Sequence, residues 1–308
     1  MKLVTFYSAD NPQPRPGILR ENAILEIPYP DVLTLIEGGA AALENLRAQA
    51  DSRGGLREIP LPETIPAPVL PRPRSLRDAY AFEQHVRTAH ENRGRTVPEV
   101  WYQLPIFYYT NANAILGHDD PLPYPHYTQA LDYELEIAAV IGKPGKNLTP
   151  EQAADHIFGF TIFNDWSARD VQLLEMQGGL GPAKGKDFAS SLGPCIVTLD
   201  ELQDRATDRP GVYHLAMTAR LNGKTIAQGN FKDIYWSFGE ILARISQEVT
   251  LYPGEVIGSG TVGSGCLLET TRAQGPWLQP GDVVELEIER IGILRNRVSS
   301  YGRTHVSA

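Results

Sequence analysis

The chain has 308 residues, of which 42% are hydrophobic and 21% charged, and its formal net charge is -9. This length can bury a substantial core, either as one large domain or as a small domain joined to a large one. No apolar run approaches the ~20 residues of a membrane-spanning helix, so we expect no membrane partner. The negative charge opposes the polyphosphate backbone of nucleic acid, which we also exclude as a partner.

The amino terminus and the cysteines indicate a reducing compartment. The first ten residues contain neither an apolar core nor a small-residue cleavage pattern, which predicts no secretory signal and a cytoplasmic location. Cys195 and Cys266 are far apart and form no CxxC pattern, so they predict neither a disulfide framework nor a zinc site. We interpret both as small buried hydrophobic residues.

A proline-rich stretch divides the chain. Prolines stand at positions 60, 62, 66, 68, 71 and 73. They remove amide donors and hold the backbone extended, so residues 59–74 are predicted to be a linker. The linker separates a small N-terminal domain, residues 1–58, from a large domain, residues 75–308.

The first elements of the large domain are a helix and a strand. Ser75 and Asp78 have the spacing of a capping box, which predicts a helix from Ser75 to about Asn92. In residues 132–137, acidic and apolar side chains alternate with a period of two, as in a strand with one acidic face. Thr149 and Gln152 then cap another helix, and residues 159–164 are predicted to form a strand.

The remaining elements are mostly short strands. Asn222-Gly223 predicts a two-residue hairpin turn, because both residues adopt positive φ at low cost. Ser237 and Glu240 form a capping box for a helix that ends near Val249. Further strands are predicted over 255–260 and 282–291. Since strands outnumber helices, we expect an α+β fold that is mainly β with flanking helices.

Three carboxylates of the predicted strands favour a metal site. Glu134 and Glu136 leave the same strand face roughly 7 Å apart, and Asp165 ends the next strand. Three like charges in a partly dry cleft repel strongly, and a hard cation with oxygen ligands keeps them ionised. The spacing alone proves little, because Glu285, Glu287 and Glu289 repeat it where a solvated sheet face explains it.

The sequence around these carboxylates resembles the fumarylacetoacetate hydrolase family. The resemblance covers most of residues 75–295 and rests on DYELE (132–136), NDWSARDVQ (164–172), LGPAKGKDF (180–188), NFKDIYW (230–236) and GSGT (258–261). It implies the family's β-sandwich roll with a small N-terminal domain, and a homodimer. It also implies that Glu134, Glu136 and Asp165 are metal ligands and that Asp78 is the fourth. Without the resemblance, Asp78 is equally well placed to cap the helix at Ser75.

The resemblance also assigns the catalytic residues. It implies that His85 is a general base oriented by Glu269, and that Lys186, Arg169 and Gln172 stabilise an oxyanion. On the predicted helix His85 follows Asp78 by two turns, a rise of roughly 10 Å that suits a small substrate. Tyr80, Tyr108 and Thr261 resemble substrate contacts, whereas Met176 replaces a tyrosine of the family.

These assignments predict an enzyme with one divalent cation, Mg²⁺ above Mn²⁺ or Ca²⁺, that hydrolyses a carbon–carbon bond in a small diketo acid of aromatic catabolism. The closest alternative is an isomerase or decarboxylase of 2-oxo acids, which uses the same carboxylates. A weaker alternative is a nucleotide-binding module, suggested by the GxGxxG pattern at 258–263. The last alternative is a catalytically inactive scaffold or binding protein that a metal stabilises.

Overall fold

The computed structural model describes residues 1–52, 55–92 and 94–301. The end of the predicted domain 75–308, from residue 302 onward, lies outside these described residues. The chain begins with β1 (Lys2–Ser8), β2 (Asn11–Leu19), β3 (Ala23–Glu26), α1 (Val32–Glu37), α2 (Gly39–Asp51), β4 (Arg57–Pro60) and β5 (Thr64–Ala67).

The middle of the chain contains the strands that carry the carboxylates of the predicted metal site. It contains β6 (Leu76–Ala79), α3 (Glu83–Glu91), β7 (Phe107–Thr110), β8 (Ile115–Leu116), β9 (Pro121–Pro123), β10 (Leu131–Asp132), β11 (Leu135–Ile141), α4 (Pro150–Ala154), β12 (Ile157–Asp165), β13 (Ser167–Ala168), α5 (Arg169–Gln177) and β14 (Ser190–Thr198). The last third contains β15 (Ala216–Leu221), β16 (Lys224–Asn230), α6 (Phe238–Ile245), β17 (Val256–Gly258), α7 (Leu267–Thr270), β18 (Val283–Ile288) and β19 (Gly292–Ser299).

Two main sheets organise the described residues. The larger runs in the order β4-β3-β2-β1-β14-β12-β11-β17-β6-β7, with β5 pairing with β1 and β8 with β14. The second runs β16-β15-β18-β19-β9, and β10 pairs with β13 in a small ribbon. This sheet-rich architecture with short flanking helices confirms the predicted α+β class.

Strands β11 and β12 are buried on both faces. On one side Leu135 and Ile137 join a core that also contains Leu286 of the second sheet. On the other side Ala138 and Val140 join a second core that includes residues of α1 and β1. Glu136 stands between Leu135 and Ile137 in β11, as the alternation predicted, and both faces of the strand are buried.

The predicted linker contains regular structure. Ile59 and Pro60 lie in β4, and β5 pairs antiparallel with β1 from Thr64 to Ala67. Strand β1 in turn pairs with β14, so the N-terminal strands belong to the same sheet as the rest of the chain. The division into two domains stays a prediction, but residues 59–67 are not an unstructured linker.

Of the three capping boxes predicted from the sequence, two are confirmed and one is wrong. Thr149 with Gln152 and Ser237 with Glu240 form complete capping boxes on α4 and α6, although α6 ends at Ile245 rather than near Val249. The predicted helix at Ser75 is wrong at its start. Residues 76–79 instead pair with β17 on one side and β7 on the other, and α3 begins at Glu83.

The hairpin prediction is confirmed, with Asn222 at φ 52° and Gly223 at φ 77° between β15 and β16. Both cysteines are buried and unpaired, as expected. In the described part of the chain no helix combines the length and apolar character needed to cross a bilayer.

Candidate active site

Four carboxylates converge at one end of the larger sheet. Asp78 lies in β6, Glu134 just before β11, Glu136 in β11 and Asp165 at the end of β12. One oxygen from each lies within 4.8 Å of the others. All four side chains are buried. The structure thus brings together the four residues that the sequence assigned to a metal.

Gly258 allows this convergence. Strand β17 lies between β11 and β6, and Gly258 pairs with both Ala138 and Asp78. A Cβ at position 258 would lie 2.5 Å from Asp78 Oδ1 and 2.6 Å from the ring of Phe163. A larger residue would therefore push Asp78 out of the cluster.

Several oxygens of the cluster have the surroundings of metal ligands. The Gly260 N–H donates to Asp78 Oδ1 and to Glu136 Oε2, each at 3.0 Å. Within the described structure, buried Glu136 Oε1 and Asp165 Oδ1 have no hydrogen-bond partner. Buried polar atoms are normally satisfied, so these orphaned oxygens indicate that the cluster is built to bind a cation.

The electrostatics of the four carboxylates also indicate a cation site. Burial, reinforced by the charge of Asp165, raises the pKa of Asp78 to about 8. Burial and the neighbouring Asp78 also raise the pKa of Glu136 well above its ordinary value. A divalent cation relieves this repulsion, and oxygen-only ligands suit a hard ion. The residues present therefore fit a divalent metal.

Two buried cations lie against the cluster. Lys186 Nζ donates to Glu134 Oε2 at 2.6 Å and to Asp165 Oδ2 at 2.7 Å. Arg169 Nη2 donates to Glu134 Oε1 at 2.8 Å. Although burial acts in the opposite direction, Lys186 and Arg169 hold the pKa of Glu134 below its ordinary value. Asp165 and Glu134 likewise outweigh burial and raise the pKa of Lys186, which stays an ammonium.

The predicted base and its partner are also in place. His85 Nδ1 lies 2.7 Å from Glu269 Oε2, and both side chains are buried. The N–H of Ser264 donates to Glu269 Oε1 at 3.1 Å and fixes that carboxylate. The helical argument that linked Asp78 to His85 is wrong, because Asp78 lies in β6 and His85 in α3.

Asp78 and Glu134 of the cluster and His85 line one cavity of about 380 Å³. Its lining includes the predicted substrate contacts Tyr80, Tyr108 and Thr261. The Tyr108 hydroxyl donates to Asp165, while the Tyr80 ring stands edge-on to His85 at 5.4 Å. Met176 lines the outer part together with Ile106, Leu180 and Arg95. The cavity therefore joins a charged floor to a more apolar mouth.

Comparison with known proteins shows the family of the chain. Residues 75–299 match the family described as fumarylacetoacetate (FAA) hydrolase, C-terminal. The chain belongs to the fumarylacetoacetate hydrolase family. It is 31% identical over 314 residues to the mitochondrial oxaloacetate tautomerase fahd2 of Xenopus laevis, covering 97% of this chain and 90% of that protein.

Solved structures agree with the family assignment. A fumarylacetoacetate hydrolase from the psychrophilic Exiguobacterium antarcticum superposes with a TM-score of 0.75 at 26% identity, covering 97% of this chain and 99% of that one. A maleylpyruvate hydrolase from Sphingobium sp. SYK-6, in complex with manganese(II) and pyruvate, gives 0.71 at 23% identity, covering 98% and 100%. The second likeness concerns the fold alone.

In this family member, Asp132 is a buried residue that the sequence analysis missed. It accepts from Leu267 N at 2.8 Å, from Leu268 N at 3.0 Å and from Arg169 Nε at 2.9 Å. It therefore connects α7, which carries Glu269, to the arginine that contacts Glu134. The signal was present, since Asp132 alternates with Glu134 and Glu136 on the same predicted strand face.

Gly258 and Gly260 serve the carboxylate cluster rather than a nucleotide. No helix starts at them, because α7 begins only at Leu267. Gly260 has φ +79°, and a Cβ there would lie 2.7 Å from the carbonyl oxygen of Ala79. Its backbone must bend in this way to point the N–H at Asp78 and Glu136. This geometry does not favour a dinucleotide site, which requires a helix N-terminus at the glycines.

Proposed function

We propose that the chain is a divalent-metal-dependent hydrolase that cleaves a carbon–carbon bond next to a carbonyl in a small β-diketo or 2,4-dioxo acid. The observation that carries this proposal is His85, which contacts Glu269 and lines the same cavity as Asp78 and Glu134 of the carboxylate cluster. A hydrolase needs a base for water in addition to a site that binds the keto acid.

The metal would be held by Asp78, Glu134, Glu136 and Asp165. When bound, it supplies a Lewis acid for the oxygens of the substrate. We expect Mg²⁺, with Mn²⁺ and Ca²⁺ as other ions that accept all-oxygen ligands.

The histidine is oriented for proton abstraction. Because a carboxylate only accepts, the contact between Glu269 and Nδ1 favours the tautomer with its proton on Nδ1, whose Nε2 lone pair would take a proton from water. The resulting hydroxide adds to the carbonyl carbon of the substrate. As the carbon–carbon bond breaks, its electron pair moves to the leaving carbon. The proton that His85 took from water is then given to that fragment, which restores the base, and the products are two acids.

The oxyanion formed during attack would meet donors that are already aligned. Lys186 contributes a buried ammonium. Gln172 Oε1 accepts from Arg169 Nη1 at 3.1 Å, and because an arginine only donates, this contact fixes the amide orientation. The Gln172 NH₂ group is thereby left as a donor at the cavity wall. Preorganised donors of this kind stabilise developing negative charge without reorganisation.

Replacing the base tests the proposal. We expect His85→Ala to keep its divalent cation, measured by calorimetry, and to lose turnover of acylpyruvates by a factor on the order of 10² or more. His214→Ala is the control, because His214 is exposed just before β15 and does not line the cavity. Normal turnover in His85→Ala would remove the hydrolytic mechanism and leave the metal site standing.

A second candidate is keto–enol tautomerisation or another isomerisation of a 2-oxo acid. The observation that favours it is the tautomerase relative, which this chain matches over 97% of its length. Incubation with acylpyruvates, fumarylacetoacetate and oxaloacetate, with and without Mg²⁺, separates the candidates by product. Two acids indicate hydrolysis, one isomeric product indicates isomerisation, and carbon dioxide indicates decarboxylation.

A further inference from the structure

A second group of potential metal ligands lies behind the histidine. His85, Cys266 and Glu269 each offer one donor atom within 4.8 Å of the other two. His85 Nδ1 and Cys266 Sγ lie 2.7 Å and 3.4 Å, respectively, from the same oxygen, Glu269 Oε2. The sequence predicted no zinc site, because these residues come from α3 and from the distant turn into α7.

The donor set differs in kind from the carboxylate cluster. It combines a thiol, an imidazole and one carboxylate, which is the mixture that zinc binds in proteins. In a tetrahedral zinc site the donor atoms are roughly 3.5 Å apart, because metal–ligand bonds measure roughly 2.0–2.3 Å. The thiol–carboxylate separation already matches, and the His85–Glu269 contact needs to open by about 1 Å.

The residues around these three donors restrict their movement, and the main cavity adjoins His85. His85, Cys266 and Glu269 are 5%, 0% and 6% exposed. The Ser264 N–H anchors the other oxygen of Glu269 at 3.1 Å, which restricts how far the carboxylate can turn. His85 and Leu268 also line the main cavity, so an ion and a fourth, water ligand would have to reach Cys266 and Glu269 from the side of His85.

We propose that His85, Cys266 and Glu269 form a second metal site that binds zinc and similar thiophilic ions. On binding, the S–H bond of Cys266 breaks, its proton leaves to solvent, and the ion bonds to sulfur, nitrogen and oxygen without any electron transfer. The ion takes the Nδ1 lone pair, so the ring proton moves to Nε2. Zinc at this site therefore blocks the base, a consequence that rests on the proposed function, whereas zinc binding itself does not.

Cobalt(II) gives a direct test, because a cobalt–thiolate bond absorbs in the near ultraviolet. The full chain is first saturated with Mg²⁺ and then titrated with Co²⁺. We expect one further equivalent to bind with a thiolate band that Zn²⁺ displaces. The band should be absent from Cys266→Ala and Cys266→Ser, and the serine variant keeps a hydroxyl near Glu269 if the alanine variant fails to fold.

Two control variants distinguish this site from the second thiol and from the carboxylate cluster. Cys195→Ala should retain the band, because Cys195 is the other buried thiol and donates to Ile291 O instead. Glu136→Gln should also retain it, even though that variant removes a carboxylate of the first cluster. No thiolate band in the wild-type chain, or a band that survives Cys266→Ser, would overturn the proposal.

An activity measurement extends the test. In the Mg²⁺-saturated chain, one equivalent of Zn²⁺ should stop acylpyruvate turnover, and a large excess of Mg²⁺ should not restore it. If the thiolate band forms and turnover is unaffected, the site binds metal but zinc does not block the base. If the chain has no hydrolase activity, the spectroscopic result still decides the metal site.

Discussion

Two segments of this chain carry acidic residues at alternate positions, and they differ completely in what those residues do. In residues 132–136 the side chains of Asp132, Glu134 and Glu136 are 0%, 4% and 0% exposed. In β18 and the turn after it, Glu287 and Glu289 are partly exposed and pair with arginines at 2.6 Å and 2.8 Å. The same spacing produces a candidate metal centre in one segment and ordinary surface ion pairs in the other.

The position of each strand in the fold explains the difference. The first segment leads into β11, which lies in the middle of the larger sheet with an apolar core on each face. Strand β18 buries only alternate residues and leaves its glutamates at the surface. Spacing decides which side chains share a face, whereas burial decides whether their charges need a metal or a fixed cation.

The largest expected difference between the two segments appears when one carboxylate is removed from each. We expect Glu136→Gln to abolish both Mg²⁺ binding and turnover, because the cluster loses a ligand that water cannot replace in a buried site. Glu287→Gln should bind Mg²⁺ like the unchanged protein. Titration calorimetry on both variants measures the contrast, and equal affinities would show that the carboxylate cluster is not the metal site.

The effect of the metal on stability sharpens the comparison. A ligand that binds only the folded state at 100 times its Kd should stabilise the protein by about 2.7 kcal/mol. We expect this increase in the free energy of unfolding with Mg²⁺ for the unchanged chain and for Glu287→Gln, but none for Glu136→Gln. Denaturant unfolding with and without Mg²⁺ checks it, and a gain in Glu136→Gln would place the ion elsewhere.

A smaller effect on metal binding and turnover is expected from replacing Asp132, and Glu285 provides the control. Asp132→Asn weakens the contact that holds Arg169 and α7, and loss of such an outer partner commonly costs about 10–100-fold in metal affinity or activity. We expect a loss of that size in kcat and in Mg²⁺ affinity together. A variant that loses only stability would reduce Asp132 to a structural residue. Glu285→Gln should change neither quantity.

The smallest expected effect is on the surface ion pairs themselves. Glu287→Gln breaks the pair with Arg220, and a partly exposed pair contributes only about 0.2–1 kcal/mol. Thermal unfolding in low and high salt should show a small change that salt reduces further. A loss of several kcal/mol would mean that β18 is less different from β11 than its exposure indicates.

The sequence predicted the features that depend on local pattern. Glu134 and Glu136 follow from the alternation, Asp165 from the end of a strand, and the boxes at Thr149 and Ser237 from four adjacent residues. Asp78 shows the limit of such arguments, since Ser75 and Asp78 have the spacing of a cap while pairing with β7 and β17 makes the segment a strand. Only the resemblance to a family grouped Asp78 with the other three carboxylates, beside which the structure places it.

Apart from those that the family resemblance implied, contacts between distant segments could not be predicted. The approach of Cys266 to Glu269 depends on how α7 turns after residue 265, and its nearness to His85 depends on how α3 packs on that turn. The amides at 267 and 268 that hold Asp132 are equally invisible in the sequence. These are tertiary consequences of a short turn whose residues carry no local signature of their own.

The core between the N-terminal segment and the larger sheet also has a practical consequence. Leu3, Ile18 and Leu35 pack in the same cluster as Val140 and Phe163, which lie in the strands β11 and β12 that also carry Glu136 and Asp165. A fragment starting at residue 75 would expose that apolar surface, together with an unpaired stretch of β14 where β1 had been. Such surfaces promote self-association. Anyone dividing this protein at its prolines should therefore expect a precipitating fragment rather than a smaller enzyme.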